Sequence, residues 1–114
     1  MRGWVRLSNP KRRKGEAVPV FAVVYRYTDD AAGRDEHRPA HKYFLEGLGH
    51  AGINLCSGPF APGEQPGALI LVRAASKDEA LASTEQDPFR VNGLVSDVSA
   101  QEWIPMLGEL AQHV

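Results

Sequence analysis

The residues best suited to chemistry are His41, in the apolar stripe of "AHKYFLEGL", and Asp87, in "EQDPF". An imidazole can take or give a proton near neutral pH, and a carboxylate beside it fixes its tautomer and stabilises the imidazolium. The placement of Asp87 is itself a clue. "SKDEALAST" reads as a short amphipathic helix that Pro88 stops, so Asp87 falls at the negative end. Cations are favoured there by about 0.3–1 kcal/mol, and carboxylates are not. A pairing with His41 offsets that cost, because each group favours the charged form of the other. A lone histidine on an apolar face is ordinarily a satisfied core residue. The functional reading therefore depends on Asp87 reaching it.

Other groups carry weaker signals. His37 and His41 have the i, i+4 spacing of a helical metal pair, but Pro39 biases Arg38 away from helical geometry and places His37 on the entering loop. No cysteine or acid completes a zinc set, so neither metal nor other cofactor is expected. Alternation along its strand points Cys56 away from Ser57, as a buried structural thiol. Ser57, just before Gly58 and Pro59, either offers its hydroxyl and nearby N–H groups to a ligand or is only a turn residue. Phe21, Tyr25, Phe60 and Phe89 are candidates for the apolar wall of a small-molecule pocket. "GLGHAG" ends a helix instead of opening one, which removes the dinucleotide reading.

These groups must be positioned by a small fold. "VPVFAVVYRYT" (18–28) is a strand with two apolar faces: Val18, Val20, Ala22 and Val24 on one, Phe21, Val23, Tyr25 and Tyr27 on the other. "DDAAGRDEHRP" reads as a loop leading to a helix whose first turn holds Pro39, and Gly52 is a suitable stop. "INLCSGPF" and "ALILVRAA" are strands, and Ser76 with Glu79 forms a capping box for the second helix. "GLVSDVSAQEW" is the fourth strand. In "IPMLGELAQHV", Met106, Leu107 and Leu110 have the spacing of a short docked helix.

The order β-α-β-β-α-β is the ferredoxin-like arrangement of an α+β fold. Two helices cover only one face of its sheet, whereas the first and third strands are apolar on both. A second copy, sheet against sheet across a two-fold axis, would cover the other face, so a homodimer is expected. Residues 1–16, with the basic run Lys11 to Lys14, form an appendage, residues 17–103 the domain and residues 104–114 a tail. The net charge of −1 gives no bulk case for nucleic acid, and no apolar run approaches a membrane span. The single cysteine fits a reducing cytoplasm.

Together "RPAHKYFLEGL", "NLCSGPFAPGEQPGALILV", the "SKDEA" helix start and "EQDPFRVNGLVSDV" resemble the YCII-related family, from about residue 20 to residue 103. The resemblance implies a dimeric α/β barrel similar to muconolactone isomerase. It also implies a site built on the His41–Asp87 pair, beside a pocket-lining turn at Ser57, Gly58 and Pro59. One branch of the family is similar to a dehydrochlorinase acting on a chlorinated hydroxyhydroquinone.

Two functions follow. In one, a lyase or isomerase uses His41 and Asp87 on a small carbonyl, enol or aromatic-derived substrate, with Ser57, Gly58, Pro59, Tyr25 and Phe89 holding it. In the other, a non-catalytic small-molecule-binding or interaction dimer keeps the pair as a structural salt bridge. An open cavity beside His41 favours chemistry, and a sealed pair favours structure.

Overall fold

The structure, a computed structural model, describes residues 18–114. The basic run at Lys11 to Lys14 lies outside the described residues. The elements are β1 (Val20–Tyr27), α1 (Ala31–His50), β2 (Asn54–Pro59), β3 (Gly67–Arg73), α2 (Lys77–Ala82), α3 (Pro88–Val91), β4 (Val95–Trp103) and a 3₁₀ turn at Glu109–His113. The strands form one antiparallel sheet in the order β2-β3-β1-β4, the ferredoxin-like topology. No helix among the described residues is long and apolar enough to cross a membrane.

Alternation divides the sheet into two faces. Phe21, Val23 and Tyr25 of β1 and Ala68, Ile70 and Val72 of β3 are buried in one core cluster beneath the helices. Against that face α1 packs on β2 and α3, and α2 on β1 and β4. Ala22 and Val24, paired with Leu71 and Leu69, point to the opposite face, where no helix lies among the described residues and all four are only half-buried. Cys56, opposite Leu71 on the edge strand, is exposed on that open face and not the buried thiol its neighbours suggested.

Helix α1 begins far earlier than Pro39. Asp30 caps it by accepting the Gly33 N–H at 2.8 Å, and Ala31 to His37 hold no β-branched residue, so the helix is established before the proline. Pro39 thus sits in the interior of a 20-residue helix, where it forfeits one backbone hydrogen bond. The helix stops where Gly52 predicted. Gly52 has φ of 80°, its N–H bonds Gly49 O, and the next N–H, of Ile53, returns to Leu48 O at 2.8 Å. That bond pair is the Schellman closure, which needs a left-handed residue.

Two expectations at the C-terminal half change. Helix α2 ends at Ala82, and after the turn at 83–86 Asp87 opens a new helix, α3, instead of trailing the old one. Pro88 cannot prolong a helix but suits the first position of another, so the acid stands at a positive end, not a negative one. The tail does not dock: Met106, Leu107 and Leu110 are 78%, 94% and 78% exposed.

Candidate active site

Helix α1, β1 and the start of α3 converge on Asp87. Its side chain is completely buried, and both carboxylate oxygens are engaged. The ring nitrogen Nδ1 of His41 lies 2.8 Å from Oδ1 and 3.0 Å from Oδ2. The Tyr25 hydroxyl donates to Oδ2 at 2.7 Å, and the Phe89 N–H donates to Oδ1 at 2.9 Å, which caps α3. Burial without partners would be costly for a carboxylate, but three donors and a helix N-terminus offset the loss of water.

The His41 ring lies flat on Phe89, with centroids 3.8 Å apart and planes 4° from parallel. Tyr27 meets the same Phe89 edge-on at 5.5 Å. Stacking on one side and the carboxylate at Nδ1 leave the imidazole little rotational freedom. Nε2 is the nitrogen left for a ligand, since His41 lines a cavity of about 450 Å³.

Ser57, Gly58 and Pro59 line that cavity, as does Phe89. Tyr25 does not. It stands behind Asp87, wholly buried, and the cavity wall belongs to Tyr27, two residues further along the same face of β1. Burial, and then the negative charge of Asp87, push the Tyr25 hydroxyl far above the ordinary tyrosine range, with Thr84 and Arg90 opposing. Arg90 approaches by donating to both Thr84 Oγ1 and Leu81 O at 3.0 Å. Tyr27 is pushed up by the same two causes, opposed by Arg34 and Arg38. Arg34 lies over its ring at 4.9 Å.

The hydroxyl of Ser57 is held as well. Asn54 Nδ2 donates to Ser57 Oγ at 3.0 Å and to Leu45 O at 3.2 Å, close to the end of α1. Because Oγ accepts from Asn54, its own hydrogen is free to be donated into the cavity. The Leu45 carbonyl also fixes which way the Asn54 amide points. Ala68 and Ile70 supply apolar floor, and Arg38 and Lys42 contribute cationic groups from α1.

Tyr27 and Asn54 escaped the sequence reading for different reasons. Strict alternation would group Asn54 with Cys56 on one face. The β2–β3 register slips between those two residues, so Asn54 pairs with Val72 and Ser57 with Ile70, on the cavity side, while Cys56 faces away. A bulge of this kind leaves no mark in a period-two pattern. Tyr27 was visible as a companion of Tyr25, but which of the two reached the cavity depended on where α3 fell. His37, now one helical turn before His41, gains no partners: no group of three His, Cys, Asp or Glu able to hold a metal occurs among the described residues.

The YCII-related domain family matches residues 20–104 of the chain. Among solved structures, a 5-chloro-2-hydroxyhydroquinone dehydrochlorinase from Burkholderia phenoliruptrix AC1100, in complex with 2,5-dihydroxybenzoquinone, superposes with a TM-score of 0.62. It is 23% identical, over 74% of this chain and 92% of that one, a likeness that carries the fold. The comparison with curated proteins returns no match.

Proposed function

Because the chain belongs to the YCII-related domain family, we propose that it is a small acid–base enzyme of the lyase or isomerase type. One observation carries the reading. His41 lines a cavity while its Nδ1 is held by a wholly buried carboxylate, an arrangement that leaves Nε2 as the nitrogen outside that contact. The dehydrochlorinase and its quinone ligand suggest the substrate class: a one-ring, oxygenated compound with an acidic carbon beside a carbonyl or enol.

In this mechanism the Nε2 lone pair removes the proton from that carbon, and the electron pair moves onto the neighbouring oxygen. Ser57, kept as a donor by Asn54, meets the charge that develops there. Asp87 stabilises the imidazolium for the life of the intermediate. Return of the proton to a different carbon completes an isomerisation, and departure of a halide with its bonding pair completes an elimination. The same reading includes a homodimer through the open sheet face, supported by the half-buried Ala22, Val24, Leu69 and Leu71; a clean monomer at micromolar concentration by sizing would refute that part.

A second reading, a non-catalytic ligand-binding dimer, draws on the complete burial of Asp87. Ring C–H exchange separates the two. Incubated in D₂O with 2,5-dihydroxybenzoquinone, the protein is expected to accelerate deuterium uptake at the ring carbons over buffer, the imidazolium delivering a deuteron to the enol carbon and the neutral imidazole then removing the proton from the sp³ carbon so formed. The variant His41→Gln should lose about 10²–10⁴-fold of that acceleration. Wild-type protein that binds the quinone without accelerating exchange would leave the binding module standing and remove the enzyme for this substrate class.

A further inference from the structure

We propose that Tyr25 is the positioning residue of the pair: its hydroxyl pins the Asp87 carboxylate as an acceptor and so holds His41 in the tautomer with Nε2 unprotonated toward the cavity. The inference rests on the acid–base reading above. Its physical basis is a count of hydrogens. Asp87 has two oxygens and receives a donated O–H from Tyr25 at 2.7 Å and a donated N–H from Phe89 at 2.9 Å. An ionised carboxylate only accepts, here from Tyr25 and Phe89 as well, so Nδ1 of His41, 2.8 Å away, must carry the hydrogen. A neutral imidazole with Nδ1–H has its lone pair on Nε2.

Phe89 cannot be the discriminating partner, because a backbone N–H is present whatever the side chain. Tyr25 can. Its hydroxyl stays protonated over the working pH range, since burial and the charge of Asp87 both oppose its ionisation. Without it, Asp87 could rotate about its last bond, keep the Phe89 contact through either oxygen and present a poorer acceptor to Nδ1. Tyr25 is wholly buried and lines no part of the cavity, so it acts through Asp87 and not on a substrate.

The test is ¹⁵N NMR of the full chain, which needs no substrate. Wild-type His41, in its neutral form, should show one tautomer, Nδ1–H, with a slowly exchanging Nδ1 proton. In Tyr25→Phe, which deletes one oxygen and keeps the ring, that proton should exchange with water at least about tenfold faster and the second tautomer should appear. An unchanged tautomer and exchange rate in a folded Tyr25→Phe would overturn the proposal. Should that variant not fold, the wild type still decides: a protected Tyr25 hydroxyl proton with a cross-peak to the His41 Nδ1 proton is required, and its absence overturns the role equally. The deuterium-uptake assay keeps the two claims apart. Uptake that depends on His41 with a tautomer indifferent to Tyr25 removes the positioning role alone; a Tyr25-dependent tautomer without uptake removes the enzyme alone.

Discussion

Replacing Asp87 by alanine should cost the fold about as much as any single change in this chain. The substitution deletes an acceptor shared by three donors: the imidazole of His41, the hydroxyl of Tyr25 and the N–H of Phe89. The Tyr25 hydroxyl then loses its charged acceptor, worth about 1–3 kcal/mol. Loss of the α3 cap adds about 1 kcal/mol. Nδ1 of His41 loses its acceptor as well, at about 1–3 kcal/mol, and because these contributions overlap about 3–5 kcal/mol is the expected destabilisation. For a domain of this size that corresponds to a fall in Tm of about 15–30 °C. Asp87→Asn is the control. Its side-chain oxygen can still accept from Tyr25 or Phe89, so it should lose only about 1–2 kcal/mol. Urea unfolding followed by circular dichroism, with midpoints compared at constant slope, measures both. If Asp87→Ala unfolds within about 1 kcal/mol of wild type, the triple-acceptor geometry does not hold α1, β1 and α3 together and the energetic argument fails.

Alkaline stability offers an independent check. Tyr25 holds its proton more tightly in the fold than in the unfolded chain, so its stabilisation is complete below about pH 10 and falls above it by about 1.4 kcal/mol per pH unit. Tyr25→Phe should show a shallower alkaline decline, by one proton; identical slopes in the two proteins would refute the assignment. Ser57→Ala removes one donor from the cavity wall and should weaken 2,5-dihydroxybenzoquinone binding about 3–10-fold by calorimetry with unchanged Tm. Gly67→Ala brings a methyl group against the Tyr25 carbonyl and the Phe60 ring. Its cost should be about 1–3 kcal/mol in the same urea assay.

How much of this was legible in the sequence depends on what each feature rests on. The strands and their faces followed from β-branched alternation, and Gly52 and Ser76 marked helix ends because capping is local chemistry. The His41–Asp87 contact was anticipated, but for a reason the fold replaces. Asp87 appeared as an acid at the wrong end of α2, whereas Ser83 to Gln86 form a turn and Pro88 starts a second helix. Pro39 misled in the opposite direction: a first-turn signal, it lies inside a helix that Asp30 had already begun. Tyr25 and Tyr27 differ only in depth beneath α3, and depth is not written in a period-two pattern. The pairing of Asn54 with Ser57 needed the slip in β2, which only the partner strand reveals.

The double duty of Asp87 changes what a comparison among relatives can say. A lineage that abandoned the reaction would still be selected to keep the acid, since α3 and the buried tyrosine hydroxyl depend on it whether or not anything is turned over. His41, whose side chain is 11% exposed, supplies only one of the three donors and lines the cavity as well. Under the proposed acid–base reading, the aspartate in a set of homologous sequences weighs more on the fold and the histidine more on the chemistry. Chains that have the first without the second are where, on that reading, binding modules would be found.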